Sequence, residues 1–101
     1  MIRHIVMWKI AEEAEGMKKP EIMDRITREL SALKEKIDVV RDIEVGSSVT
    51  GGDSMHYDMG LIVTVEKLDD LPLYANHPEH LKVREFISKV RTDRVTADIE
   101  V

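Results

Sequence analysis

The residues best suited to chemistry lie in one short segment, residues 73–80, which holds two of the four histidines of the chain. Pro78 keeps His77 out of the helical conformation and is itself suited to the first position of a helix. A helix is therefore predicted to begin at Pro78, with Asn76 or His77 as its N-cap. His80 then falls in the first turn, where the positive end of the helix dipole disfavours a charged imidazole. The segment thus predicts a neutral ring that can accept a proton near pH 7.

Two further side chains belong to this candidate site. Tyr74 can supply a phenol donor beside His80, and His4 is the one polar residue on the more apolar face of the first predicted strand. A polar residue on such a face either bonds a buried partner or lines a cavity. The predicted catalytic group is His80, Tyr74 and His4. The predicted ligand-binding neighbours are Trp8, His77 and Phe86.

Two other interpretations of these histidines stay open. In the first, His77 only caps the helix, His80 is a partly buried ring with its hydrogen bonds satisfied, and the protein is a non-catalytic, ligand-binding or stress-associated dimer. In the second, His77, Glu79 and His80 bind a metal ion. The metal interpretation is the weakest because His77 is expected at the cap and not inside the helix. We predict no metal and no cofactor, since no heme or flavin motif occurs in the sequence.

Composition limits the function classes. A chain of 101 residues forms one domain, 1–101, and 43% hydrophobic with 35% charged residues is typical of a soluble globular protein. A net charge of -5 argues against nucleic-acid binding. The absence of cysteine excludes disulfides and thiol nucleophiles. Neither a signal peptide nor a membrane-spanning run is recognisable, so we predict a cytoplasmic protein without a membrane partner.

The periodicity of apolar residues predicts the elements that position the site. Residues 2–10 alternate as a central strand, residues 11–19 form a connection, and a helix begins at Pro20. Residues 39–49 and 57–65 alternate as two further strands joined by a turn at 50–54. A short helical turn ends near Ala75, a second long helix follows from Pro78, and residues 95–101 form the last strand. The predicted inward residues of the two long helices are Met23, Ile26, Leu30, Leu33 and Ile37, then Leu81, Phe86, Ile87 and Val90.

This order predicts an α+β fold of the ferredoxin-like βαββαβ type, with a four-stranded antiparallel sheet and both helices on one face. The other face would be left uncovered. It is predicted to show Ile5, Met7 and Ile62 at its centre, with Glu44, Thr96 and Asp98 at its margins. An apolar centre with a polar rim is typical of a surface that is buried against a second copy, so we predict a homodimer.

Several segments resemble the stress-responsive A/B barrel domain (Dabb) family along essentially the whole chain. The most specific is Tyr-Ala-Asn-His-Pro-Glu-His at residues 74–80, combined with the early His4. Residues 1–6, 43–46, 57–58 and 93–95, with Asp98 and the terminal Glu-Val, fit as well. The resemblance implies a dimeric α/β barrel in which two ferredoxin-like sheets face each other.

The resemblance also implies a chemistry. Cofactor-free polyketide cyclases of the family carry a catalytic tyrosine and histidine that match Tyr74 and His80, and an early pocket histidine that matches His4. In that scheme the histidine removes a proton next to a carbonyl and the tyrosine stabilises the enolate. Ile26 and its neighbours replace a further pocket tyrosine of the cyclases. We therefore expect acid/base chemistry on a small carbonyl compound, without a polyketide substrate.

Overall fold

The structure is a computed structural model that describes residues 1–50 and 53–101. Its elements in chain order are β1 (Ile2–Ile10), β2 (Glu13–Ala14), β3 (Met17–Lys18), α1 (Lys19–Lys36), β4 (Asp42–Ser47), β5 (Met59–Val65), α2 (Asp70–Ala75), α3 (Pro78–Val90) and β6 (Arg91–Glu100). Four strands form one antiparallel sheet in the order β4-β5-β1-β6. The predicted ferredoxin-like fold is confirmed. The predicted turn at 50–54 lies partly outside the described residues.

The core lies between one face of this sheet and the helices α1 and α3. Along β1 the residues Ile2, Val6, Trp8 and Ile10 are buried, and α1 contributes Ile22, Ile26, Leu30 and Leu33. α3 adds a stripe at helical spacing, formed by Val83, Phe86, Ile87 and Val90. No helix in the described residues is both long enough and apolar enough to cross a membrane.

One predicted core position on the helices is wrong. Leu81 is exposed and Val83 is buried in its place, because Leu81 falls on the side of α3 opposite the stripe. Met23 packs against the core but is only partly buried, and the neighbouring Ile22 is fully buried. Leu81 lies in the first turn of α3, where few apolar neighbours in sequence define the inward direction.

The strand boundaries also differ from the predictions. The predicted connection 11–19 contains the hairpin β2–β3, whose turn places Glu15 and Gly16 at positive φ, 52° and 74°. β4 ends at Ser47, and Val49, predicted on its apolar face, is 98% exposed. β6 follows α3 directly and begins at Arg91, four residues before the predicted start at 95.

The register of β6 corrects the predicted composition of the uncovered face. His4 pairs with Asp98 and Val6 with Thr96, and residues paired across antiparallel strands share a face. Thr96 and Asp98 therefore lie on the side of the helices, and their prediction as a polar rim is wrong. The uncovered face, called here the open sheet face, is formed by Ile5, Met7, Ile62, Val95, Ala97 and Ile99.

Candidate functional site

A cavity of about 340 Å³ opens between the sheet and the segment that contains α2 and α3. His4 and Trp8 of β1, Tyr74 of α2 and His80 of α3 all line it. Four of the six predicted site residues therefore come together at one place. The remainder of the lining is partly apolar and includes Val6, Leu30, Leu61, Leu71 and Ile87.

His80 is held in one tautomer by the backbone. Its Nδ1 lies 2.8 Å from the carbonyl oxygen of Ala75, and a carbonyl can only accept, so Nδ1 carries the hydrogen. The neutral ring then leaves Nε2 as a proton acceptor. Burial lowers the pKa of His80 below its ordinary value, and the guanidinium groups of Arg84 and Arg94 lower it further, against the opposite effect of the Ala75 bond. His80 is thus neutral at pH 7, as a general base must be.

Tyr74 is the most unusual polar group of the site. It is 1% exposed, and its hydroxyl is buried without a hydrogen-bond partner among the described residues. Its ring lies against that of His80, with the centroids 4.5 Å apart. Burial raises the pKa of the Tyr74 hydroxyl far above its ordinary value, so the phenol stays protonated. An unpaired donor of this kind costs roughly 1–3 kcal/mol, which a ligand oxygen could offset.

His4 brings a carboxylate to the same cavity. Its Nδ1 lies 2.5 Å from Oδ1 of Asp98, the residue with which it pairs across β1 and β6. The carboxylate accepts, so Nδ1 carries the hydrogen and the orientation of the ring is fixed. The His4 ring approaches that of Tyr74 edge-on, with centroids 6.3 Å apart. The arrangement resembles the carboxylate-oriented imidazoles of acid/base catalysts.

The structure places the other two predicted site residues outside the cavity lining. Nδ1 of His77 accepts a hydrogen bond from the backbone N–H of Glu79 at 3.1 Å, so His77 is the N-cap of α3, as one sequence interpretation held. Phe86 is buried, and the guanidinium of Arg25 stacks on its ring at 3.8 Å. Neither residue lines the cavity, and their predicted role in ligand binding stays a prediction.

The metal interpretation finds no matching geometry. His77 and His80 each engage the backbone through Nδ1. Within residues 1–50 and 53–101, no three His, Asp or Glu side chains come together as a set of metal ligands.

Sequence reasoning missed four polar residues that line the cavity. Arg84 and Ser88 stand one turn apart on α3, and Arg91 and Arg94 follow at the start of β6. The spacing of His80, Arg84 and Ser88 by four residues was a usable signal, since it places all three on one side of a helix. Arg94 and the partner of His4, Asp98, had no such signal because their positions depend on the strand register.

The lowered pKa of His80 predicts a dependence of stability on pH. Below about pH 6.5 the unfolded chain binds a proton at this ring before the folded protein does, so the free energy of unfolding falls as the pH drops towards the folded pKa. His80→Gln should remove this part of the slope, which is at most about 1.4 kcal/mol per pH unit. Urea denaturation of both proteins at pH 7.5, 6.5 and 5.5 measures it. Parallel profiles for the two proteins would contradict the assignment.

The unpaired hydroxyl of Tyr74 predicts that its removal does not weaken the fold. Tyr74→Phe should leave the free energy of unfolding unchanged or raise it by about 1 kcal/mol, because no hydrogen bond is lost and an unsatisfied group disappears. Tyr57→Phe is the matched control, since the Tyr57 hydroxyl donates to Asp93 at 2.9 Å. Urea denaturation measures the free energy of unfolding of both variants and of the wild type. A loss of more than about 1 kcal/mol in Tyr74→Phe would show that the hydroxyl has a structural partner.

Comparison with known proteins agrees with the fold. Residues 2–101 match the Stress responsive A/B Barrel Domain, Dabb. A dimeric protein of unknown function with a ferredoxin-like fold from Bacteroides fragilis NCTC 9343 is 30% identical, with 99% of this chain and 95% of that chain covered and a TM-score of 0.86. No protein with a curated description matches the chain.

Two more distant structures share the fold alone. A Dabb family protein with a ferredoxin-like fold from Mesorhizobium loti MAFF303099 is 18% identical, and its TM-score is 0.75. The match covers 99% of this chain and 95% of that chain. The hydroxynitrile lyase from Passiflora edulis is 14% identical, and its TM-score is 0.76. The match covers 99% of this chain and 92% of that chain.

Proposed function

The chain belongs to the stress-responsive A/B barrel domain family, and from that premise we propose that it is a cofactor-independent acid/base enzyme acting on a small carbonyl compound. The hydroxynitrile lyase from Passiflora edulis is an example of an enzyme with this fold, although its likeness to this chain is one of fold alone. The reaction class therefore rests on the side chains of this cavity and not on a relative.

The observation that supports the proposal best is the pairing of a free proton acceptor with an unpaired donor. Among the described residues the buried Tyr74 hydroxyl has no partner and Nε2 of His80 makes no hydrogen bond, and the two rings lie 4.5 Å apart. A structural pair would satisfy both groups within the protein. A carbonyl compound offers the hydroxyl an oxygen and the imidazole an acidic hydrogen on the adjacent carbon.

The proposed step is the formation of an enolate. Nε2 of His80 takes a proton from the carbon next to the carbonyl, the electron pair of that C–H bond becomes the new C=C bond, and the carbonyl oxygen takes the negative charge. Tyr74 donates its hydrogen bond to that oxygen, where the charge develops. Return of the proton from Nε2 of His80 to the carbon, with the C=C electron pair reforming the C–H bond and the C=O bond restored, completes the reaction. His4, oriented by Asp98, lies beside Tyr74 as a second proton carrier.

Deuterium exchange tests the proposal without knowledge of the natural substrate. A base of this kind should replace the hydrogens next to a carbonyl by deuterium when the protein is kept in D₂O with small ketones and 2-oxo acids, and proton NMR measures the rate. We expect incorporation above the buffer rate for at least one compound that also binds. Binding without exchange would favour the alternative, a non-catalytic ligand-binding protein, and would contradict the enzyme proposal.

We further propose that the protein is a homodimer paired through the open sheet face. Three residues of this face, Met7, Val95 and Ile99, are 42%, 37% and 42% exposed in the single chain. An apolar sheet face of this kind is buried in stable proteins. The relative from Bacteroides fragilis, described as dimeric, supports a second copy as the covering partner.

A further inference from the structure

Three arginines line the cavity without an ion-pair partner in the part of the chain that the structure describes. Arg84, Arg91 and Arg94 line it, and among residues 1–50 and 53–101 none of their guanidinium groups forms an ion pair or a hydrogen bond. Of the other four arginines, the three on α1 and in the segment after it each pair with a carboxylate, and Arg3 of β1 has no ion pair among the described residues. Three of the four guanidinium groups without an ion pair in this part of the chain therefore line the candidate site.

The residues that line the cavity are also poor in negative charge. No Asp or Glu is among its lining residues in the described part of the chain, although the protein carries 20 of them and a net charge of -5. Two carboxylates lie beside the lining and each accepts a hydrogen bond: Asp98 from His4, which itself lines the cavity, and Asp93 from Tyr57. A positive site on a negative protein attracts a small anion selectively, because the remainder of the surface repels it.

We propose that the ligand of this cavity is a carboxylate, namely an oxo acid with an apolar chain. The inference rests on the proposed function and names its substrate class. The planar fork of a guanidinium matches a carboxylate in two parallel hydrogen bonds. Arg84, Arg91 and Arg94 supply such forks where α3 passes into β6.

The lining fixes how such an acid would lie. The carboxylate occupies the side formed by α3 and β6, while the carbonyl lies between Tyr74 and His80. The apolar chain packs against the opposite wall, which includes Val6 and Leu61. The volume of about 340 Å³ is at the lower end for ligand sites, so it suits a short branched chain.

A matched pair of probes tests the charge requirement. 4-Methyl-2-oxopentanoate carries the carboxylate, and 4-methyl-2-oxopentanamide has nearly the same shape without the charge. Trp8 is the single tryptophan of the chain and lines the cavity, so its fluorescence reports binding, with calorimetry as a check. We expect the acid to bind about tenfold or more tightly than the amide, as a charge-assisted pair gives. Equal affinity, or no binding of the acid, would overturn the proposal.

Substitutions of the cavity arginines test where the carboxylate of the acid binds. Arg84→Gln and Arg94→Gln should each weaken binding of the acid by about fivefold or more and leave the amide unaffected. Arg28→Gln is the control, because Arg28 pairs with Asp24 on α1, outside the cavity lining. Sedimentation of each variant checks that assembly is unchanged. An acid affinity that survives both cavity variants would contradict the site, and tighter binding of isopentyl phosphate than of the acid would contradict the carboxylate assignment.

Failure of this inference and failure of the proposed function give different results. If the protein exchanges deuterium into neutral ketones with the help of His80, but binds the acid no more tightly than the amide, the inference alone is overturned. Tight binding of the acid through the arginines, without deuterium exchange, would support the inference and overturn the enzyme proposal.

Discussion

Replacement of His80 by glutamine is expected to lower the rate of deuterium incorporation by about 10²–10⁴-fold, the usual contribution of a positioned general base. Glutamine keeps a polar side chain of similar reach but has no nitrogen that accepts a proton near pH 7. The affinity for the carbonyl compound should change much less, because the proposed role of His80 is proton transfer. Proton NMR in D₂O measures the rate, and Trp8 fluorescence measures the affinity.

His77→Asn is the matched control for the loss of an imidazole at the start of α3. His77 caps the helix through its acceptor, and asparagine is an equally good N-cap. The exchange rate and the stability of this variant should both remain close to those of the wild type. Since His77 lies only three residues from His80, equal losses in the two variants would indicate a disturbed helix start and not a missing base.

Stability separates the catalytic from the structural interpretation of His80. The ring is half-buried and, among the described residues, makes one hydrogen bond, to the Ala75 carbonyl, so His80→Gln should cost about 1 kcal/mol. A cost of several kcal/mol, together with the absence of any exchange, would identify a structural histidine and end the enzyme proposal.

The sequence was sufficient for the parts of the site that are close together along the chain. Pro78 determined where α3 begins, and this placed His77 at the cap and His80 in the first turn. Tyr74 lies on the short helix α2, which ends at Ala75 just before α3 begins at Pro78, so its proximity followed from local geometry. Such relations depend on backbone preferences within a few residues, which a single sequence contains.

The parts that depend on strand register could not be derived in the same way. Alternation divides β6 into two sets of residues but does not say which set faces the helices. The pairing of His4 with Asp98 decides this, and it also brings Arg94 to the cavity. A shift of the β6 register by one residue would move Asp98 from the side of His4 to the open sheet face. The same carboxylate would then belong to a polar rim and would not orient the site histidine.

Phe86 shows a different limit. Its position on α3 correctly predicted burial, but an inward residue can contact either the core or the cavity. The stacking of Arg25 on its ring follows from how α1 crosses α3, and helix crossing is a property of the packed structure.

Ile62→Lys is expected to convert the protein from a dimer to a monomer at micromolar concentration. Ile62 pairs with Ile5 at the centre of the open sheet face, where a second copy would remove water from both. An ammonium group without a partner in an apolar interface loses its hydration at a cost of several kcal/mol. Sedimentation velocity measures the result.

The symmetry of a dimer enlarges the effect of this substitution on the dissociation constant. In a two-fold interface each substitution occurs twice, so one lysine per chain places two unpaired charges in the contact, and the dissociation constant should rise by at least about 100-fold. Val49→Lys adds the same charge at a position that is 98% exposed and outside the open sheet face, and should leave the dimer intact. A wild-type monomer at micromolar concentration would refute the assembly. If Ile62→Lys stays dimeric, the two copies meet through another surface and the open sheet face needs a different partner.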